Sequence, residues 1–338
     1  MINFRYARAN DVAEAVRLVG RNRTAKFIAG GTNLIDLMKM DVEQPTDIVD
    51  ISRLPLNQVE ATLDGGLRIG ALVRNTDLAY HPLVEHRYPV LASAIMAGAS
   101  QQLRNVASTG GNLLQRTRCH YFYEPATACN KRAPGSGCSA IDGHNRMHAI
   151  LGASDSCIAV HPSDMCVALA ILEARVHATS ASGDRVIAFA DLHRLPDDTP
   201  HRDTSLDPGE IITAVELPAQ GFAKNYTYIK IRDRLSYAFA LVSVAVGFEL
   251  DGDVIKEGRF ALGGVAHKPW RDPLAEAALQ GQRADAATFA RAADVLLRNA
   301  KGYGGNTFKI DLARRVIARA MLQAARGAPQ SQSSKKIM

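Results

Sequence analysis

The chain has 338 residues, a length that suits about two domains. Hydrophobic residues make up 47% of it, enough to build a core, so whole-chain disorder is excluded. Five cysteines are too few for a disulfide-stapled scaffold, and no apolar run approaches the roughly 20 residues of a membrane helix. The start, Met1-Ile2-Asn3-Phe4-Arg5, has no charged stretch followed by an apolar one, so no secretory signal is expected. Forty basic against thirty-four acidic residues give a net charge of +6. The basic residues are spread out, with doublets only at Lys131-Arg132, Arg314-Arg315 and Lys335-Lys336, which speaks for a solvated surface and against a nucleic-acid partner. A local excess stands apart: Arg116, Arg118, Lys131, Arg132 and Arg146 lie among the cysteines, where positive charge favours thiolates and anionic cofactors.

In chain order, residues 11–20 read as an amphipathic helix capped by Asp11, with Val12, Ala15, Val16 and Val19 on one face and Gly20 as its stop. Ala25–Ala29 reads as a buried strand running into Gly30-Gly31-Thr32-Asn33. A helix over 34–40 follows, with Thr32 or Asn33 as its cap. Strands are expected at 47–51 and 66–70, a short helix at 76–80 capped by Thr76, and an Ala-rich helix at 89–99. A second glycine turn, Ser108-Thr109-Gly110-Gly111-Asn112, precedes an aperiodic stretch over 115–157. Such a long irregular segment inside a domain points to function or a bound cofactor. A helix resumes at Ser163. Residues 227–248 predict a strand, a turn and then a helix or strand. Residues 258–265 predict a strand, and 274–279, 284–300 and 307–325 predict helices. From Gly327 the chain reads as a disordered tail. Pro218 and Gly221 mark a boundary near residue 220.

Each glycine turn can present backbone N–H groups to an anion without a side chain in the way. Neither is the G-x-G-x-x-G fingerprint, so a dinucleotide-binding doubly wound fold is not supported. All five cysteines fall within 48 consecutive residues, Cys119 to Cys166. No C-x2-C pair is present, so zinc-ribbon and ferredoxin spacings are absent. Cys166 has apolar neighbours in a helix and reads as core. Cys119, Cys129, Cys138 and Cys157 lie in the irregular stretch. Four thiolates suit a zinc ion or a 4Fe–4S cluster, and the spacing does not choose. His120, His144, His148 and His161 lie near enough to keep zinc in play.

Five segments in this order carry a family resemblance. They are Lys26-Phe27-Ile28-Ala29-Gly30-Gly31-Thr32-Asn33-Leu34, Asn105 to Leu113, His161-Pro162-Ser163-Asp164-Met165, Tyr228 to Ala238, and Leu262 to Arg271. The chain resembles the FAD-binding subunit of the xanthine dehydrogenase family of molybdenum hydroxylases, up to about residue 325. Its cysteine insert looks like that of the periplasmic aldehyde oxidoreductase flavoprotein, whose four cysteines bind a 4Fe–4S cluster.

The resemblance implies an α+β fold: a two-lobed FAD-binding domain over 1–220 of the vanillyl-alcohol-oxidase type, with lobes 1–58 and 59–220 and an iron–sulfur insert over about 115–157. A small α+β domain over 221–326 and a tail over 327–338 follow. By the same resemblance residues 26–34 hold the FAD pyrophosphate, and Ser108, Thr109, Gly111 and Asn112 close over the cofactor. Asp164 accepts from ribityl or ribose hydroxyls, and Lys230 reaches the flavin ring. Cys119, Cys129, Cys138 and Cys157 are the cluster ligands. One departure is expected to matter: several family members place an aromatic residue over the flavin where this chain has Gly98.

The implied function is electron transfer within a heterotrimer, beside a molybdenum cofactor subunit that oxidises the substrate and a small subunit with two 2Fe–2S clusters. No catalytic residue is expected on this chain. The expected compartment is the periplasm, reached through a partner's export signal, or the cytoplasm. Two rival readings are a stand-alone flavin oxidase of the same fold with a zinc-binding loop, and a non-enzymatic metal-binding module with a nucleic-acid partner, favoured only by the basic charge balance.

Overall fold

In a computed structural model that describes residues 1–332, the chain folds around three sheets, each with its own helices. Residues 333–338, the end of the tail expected to be disordered, lie outside the described residues. The α+β class is the one expected from the sequence.

The first unit holds β1 (Arg5–Arg8), α1 (Val12–Gly20), β2 (Lys26–Ile28), α2 (Leu34–Lys39) and β3 (Asp47–Asp50). Its sheet is parallel, in the order β1-β3-β2. Asp11 caps α1 by accepting from the Glu14 amide, and Ala15, Val16 and Val19 are buried, as the periodicity requires. The cap of α2 differs from expectation. Asn33 occupies the N-cap position but its side chain makes no capping bond, because its Oδ1 accepts from the Arg116 amide at 3.0 Å.

The second unit holds β4 (Val59–Ala61), β5 (Leu67–Gly70), α3 (Asn75–Ala79), α4 (Pro82–Arg87), α5 (Pro89–Ala97), α6 (Gln101–Arg104), α7 (Thr109–Leu113), α8 (His120–Tyr123), α9 (Asp164–Ile171), β6 (Arg175–Ser180), β7 (Gly183–Ala188), α10 (Phe189–Leu192) and β8 (Ile211–Leu217). The five strands are antiparallel, in the order β4-β5-β8-β6-β7. Arg74, not Thr76, takes the N-cap of α3, and the Thr76 hydroxyl donates to Asn105 Oδ1 instead.

The third unit holds β9 (Asn225–Ile231), β10 (Val242–Asp251), β11 (Val254–Gly263), α11 (Pro273–Ala277), α12 (Ala286–Leu297) and α13 (Phe308–Ala325). The meander β9-β10-β11 packs α13 on one side and α5 and α9 on the other. Residues 242–248 are therefore buried on both faces. That burial is why their apolar run does not alternate and reads equally as helix or strand. Tyr228, Ala245 and Ala261 join the core of the second unit, so the two units share packing. Among the described residues no helix is long and apolar enough to cross a membrane. Gln332 of the tail donates its amide to the Tyr228 carbonyl at 3.0 Å.

Candidate functional site

A cavity of about 980 Å³ lies where the three units meet. The turn after β2 forms one wall, with residues 26–34 all lining it. The turn is shaped by its glycines. A Cβ on Gly30 would sit 2.1 Å from the Val106 carbonyl oxygen, and Gly31 has φ +70°. Close approach of the second unit to this backbone thus requires glycine. Asn33 Nδ2 is buried in the wall with no partner, a donor left for a bound acceptor.

Ser108, Gly111 and Asn112 line the opposite wall, at the start of α7. Ser108 caps that helix by accepting from the Gly111 amide, and Ser163 donates to Asn112 Oδ1 at 2.5 Å, tying α7 to α9. Thr109 does not line the cavity. Its amide and hydroxyl both donate to the Val73 carbonyl at 2.9 Å, which fixes the turn from behind.

Asp164 and Lys230 also line the cavity, and both are buried. They form an ion pair of 2.8 Å, with Lys230 Nζ donating to Asp164 Oδ2 and to the Ala97 carbonyl at 3.2 Å. Tyr228, wholly buried, donates its hydroxyl to Asp164 Oδ1 at 2.6 Å. Burial and the neighbouring Asp164 charge push the Tyr228 hydroxyl well above its ordinary pKa, so it remains a donor. Gly98 lies beside Asp164, and a Cβ there would already be 3.1 Å from Asp164 Oδ2. A larger residue at that position competes with this carboxylate. The aromatic side chains that do line the cavity include Tyr237 and Phe239, on the loop between β9 and β10, both exposed.

The cysteine stretch abuts the same cavity through Arg116, Thr117, Arg118, Cys119 and His120. Cys129 and Cys138 face each other across a one-residue antiparallel bridge. The Cys157 thiol hydrogen-bonds Cys138, and Cys119 lies close enough to Cys129 and Cys138 to feel their charge. The four loop cysteines expected from the sequence thus come together, while Cys166 is fully buried in α9 away from them. Among the described residues the group of three His, Cys or acidic donors within 4.8 Å of one another is His161, Cys166 and His193, so no three of the loop sulfurs lie that close together. Tetrahedral zinc with bonds near 2.3 Å would draw its sulfurs to about 3.8 Å apart.

Without an ion, the surroundings favour the thiolate at Cys138 and the neutral thiol at Cys119 and Cys157. The Cys157 thiol and the amides of Ala140, Ile158 and Ile141 lower the Cys138 pKa, while its bond to Cys138 and burial raise that of Cys157. Burial pushes Cys119 up to about 11 despite amides from Phe122 and Tyr121. His148 Nε2 lies 3.1 Å from Cys119 Sγ, and burial lowers its pKa to about 4, so it is neutral. Arg116 pairs with Glu43 at 2.6 Å and Asp203 at 2.7 Å, and Arg118 pairs with Asp36 at 2.7 Å.

Sequence reasoning did not assign Glu43, Arg104, Tyr237 or Phe239 to the cavity. No local signal marks them, since each reaches it through tertiary packing. Arg116, Arg118 and His148 had a signal, the charge and histidine excess among the cysteines.

The fold, the double glycine wall and the buried Asp164–Lys230 pair define a flavoprotein. Residues 2–220 match the FAD binding domain in molybdopterin dehydrogenase, and residues 226–324 match the CO dehydrogenase flavoprotein C-terminal domain. The chain belongs to the FAD-binding subunits of the molybdenum hydroxylases, and it is an oxidoreductase subunit.

Among its relatives is the aldehyde oxidoreductase FAD-binding subunit PaoB of Escherichia coli (strain K12). It is 53% identical over 323 residues, covering 95% of this chain and 98% of that one. The glyceraldehyde dehydrogenase medium chain of Sulfolobus acidocaldarius is 30% identical, covering 79% of this chain and 78% of that one. The structure is similar to the carbon monoxide dehydrogenase from Hydrogenophaga pseudoflava which lacks the Mo-pyranopterin moiety of the molybdenum cofactor. That likeness has a TM-score of 0.75 at 25% identity, covering 97% and 99% of the two chains. Quinoline 2-oxidoreductase from Pseudomonas putida 86 shares the fold, with a TM-score of 0.74 at 24% identity over 97% and 98%.

Proposed function

We propose that this chain is the FAD- and 4Fe–4S-binding electron-transfer subunit of a heterotrimeric molybdenum-containing aldehyde oxidoreductase. Its partners are a molybdenum cofactor subunit and a subunit with two 2Fe–2S clusters. The observation that carries the reading is Cys119, which belongs to the four-cysteine group and also lines the flavin-sized cavity. A cluster there adjoins the flavin with no intervening domain. Four cysteines gathered in one loop are a ligand set that suits a four-iron cluster. The high identity to a protein named as an aldehyde oxidoreductase subunit supports an aldehyde as the partner's substrate.

The residues divide the work. The turn at 30–33 offers backbone amides to the pyrophosphate, with Asn33 Nδ2 as a further donor. Ser108, Gly111 and Asn112 close from the other wall, and Thr109 holds their turn in place. Asp164 keeps lone pairs beyond those used by Tyr228 and Lys230, and these accept from ribityl or ribose hydroxyls. Lys230, paired with Asp164 in the cavity wall, reaches the flavin ring, where a cation favours reduced anionic flavin. Tyr237 and Phe239 supply the aromatic cover that Gly98 lacks. When bound, FAD supplies two-electron exchange with an outside acceptor and the iron–sulfur centres supply one-electron relay. The assembly works in the periplasm through a partner's export signal, or in the cytoplasm, which cell fractionation reads directly.

Elemental and absorbance analysis of the purified complex tests the proposal. The expected result is bound flavin and about four cluster irons on this chain. Cys138→Ser should lose that iron and keep flavin. No bound flavin, and none taken up, would overturn the cofactor reading. Zinc in place of iron, lost on Cys138→Ser, would overturn the cluster and favour the stand-alone oxidase.

A further inference from the structure

Behind the α7–α9 wall of the cavity lies a second group of donors that the flavin and the cysteine loop do not use. His161 precedes α9, Cys166 is in its first turn and His193 follows α10. One ring nitrogen from each histidine and Cys166 Sγ lie within 4.8 Å of one another. Cys166 and His193 are buried, and the rings of His161 and His193 are 4.2 Å apart between centroids. Nε2 of both rings reaches the Leu113 carbonyl at the end of α7, at 3.3 Å and 2.8 Å. Nδ1 of both rings is buried with no partner.

This pattern is the one metal sites build around histidine. One ring N–H donates to a backbone carbonyl, which fixes the tautomer and leaves the other nitrogen's lone pair free. Burial lowers the pKa of both imidazoles, so both are neutral donors. The two Nδ1 atoms are left buried and unsatisfied without an ion, while the Cys166 thiol bonds the Ser163 hydroxyl. A small cavity of about 20 Å³ lies beside the rings, lined by His161, His193, His267, Lys131 and Asp203. It is large enough for one water. His267, with both ring nitrogens buried and unpartnered, faces the same cavity.

We propose that His161, Cys166 and His193 form a structural metal site for one zinc(II) ion, separate from the four-cysteine loop. Two imidazoles and a thiolate are a borderline-soft set that suits zinc. Binding displaces the Cys166 thiol proton to solvent, and the ion takes Nδ1 of each ring. The site ties three elements together: α7 through the Leu113 carbonyl, α9 through Cys166, and the segment after α10 through His193. Two of these carry flavin-wall residues, Asn112 on α7 and Asp164 on α9. The ion thereby braces the flavin wall from behind without touching the cofactor.

Elemental analysis of the full complex, purified without chelator, is the test. About one zinc per copy of this chain is expected, beyond the iron. Cys166→Ala and His193→Asn should each lower zinc at least tenfold while iron and flavin stay. Cys138→Ser should do the reverse, losing iron and keeping zinc, so failure here is distinct from failure of the cluster reading. Cobalt(II) in place of zinc should give a thiolate-to-cobalt charge-transfer band that is missing in Cys166→Ala. Should the variants not fold, the cobalt band of the wild-type complex decides. Wild-type protein without zinc and without that band, or zinc untouched by Cys166→Ala, overturns the proposal.

Discussion

The flavin wall and the cysteine loop touch the same cavity but are held together by different physics. The wall stands on regular elements whose buried faces are apolar. Leu91, Ala94, Ile95, Val167 and Leu169 all belong to one core behind it. The loop has one short helix, α8, and little apolar core of its own, with Leu37, Phe122 and Cys129 buried together. It is held instead by cations on carbonyls and carboxylates. Arg132 donates to the carbonyls of Tyr121, Phe122, Pro125 and Thr127. Lys131, 3% exposed, donates to the Pro200 carbonyl at 2.7 Å and to Asp203 at 2.5 Å. Arg116 then joins Asp203 to Glu43 of the first unit. The wall is an oil-drop structure with glycine seams, and the loop is a set of orphan carbonyls gathered by a few side chains. Perturbations of charge and fork geometry should therefore strike the loop, and perturbations of close backbone approach should strike the wall.

The largest effect is expected at Arg132. Its planar fork serves four carbonyls, which a lysine ammonium on a flexible stem does not match. Arg132→Lys keeps the charge, so it separates geometry from electrostatics. A loss of about 3 kcal/mol is expected from charge-assisted hydrogen bonds weakened or broken. Iron per chain should fall with it while flavin stays, read by elemental analysis and denaturant unfolding of the complex. Retained iron with unchanged stability would mean that the loop does not depend on this fork.

The converse perturbation is Gly30→Ala. The added methyl meets the Val106 carbonyl oxygen at 2.1 Å, and both groups are backbone, so the two units must move apart. Overpacking of this kind costs about 2 kcal/mol. Flavin affinity should fall more than tenfold while loop iron stays. Gly20→Ala, where nothing lies within 4 Å, is the matched control and should leave both cofactors in place. Simultaneous loss of flavin and iron in Gly30→Ala would show the wall and loop to be one cooperative unit.

The same division explains what could be read from the sequence. Elements of the wall announce themselves through local rules: Asp11 before an amphipathic run gave α1, and Gly30-Gly31 after a short apolar strand gave the turn. The glycine turns and the grouping of Cys119, Cys129, Cys138 and Cys157 were also legible, the latter because all four crowd one aperiodic stretch. β10 was ambiguous for a physical reason, since burial on both faces erases the alternation that marks a strand. Asn33 was rightly placed at its N-cap but makes no capping bond, and the cap at Thr76 was misjudged, because a more distant partner claimed each side chain. The loop's clamps announced their charge, as a basic excess among the cysteines, but not their partners. Lys131 and Asp203 are 72 positions apart, and nothing near either residue forecasts the pair. His161 and His193 meet on the Leu113 carbonyl from 48 and 80 positions away.

The smallest expected effect comes from acid. Burial opposes ionisation of Asp203, but the charges of Lys131 and Arg116 outweigh it and hold the carboxyl well below the usual carboxylate range. A carboxylate with a depressed folded-state pKa stabilises the fold above its unfolded value, near 3.9, and loses that contribution as pH falls through the folded value. Between those values the unfolded chain binds the proton and the folded one does not, so stability declines on acidification. Asp203 is a third exposed at its side chain, so solvent screens the pair and the contribution is about 1 kcal/mol. Unfolding of the complex followed from about pH 5 downwards should therefore be less acid-sensitive in Asp203→Asn than in wild type, by about that amount. Asp47 and Asp50, each lowered to about 2 in the first unit, supply the acid sensitivity that remains in the variant. Identical acid profiles for the two proteins would mean that Asp203 does not clamp the loop to the first unit through its charge, and the loop would then rest on the Arg132 fork.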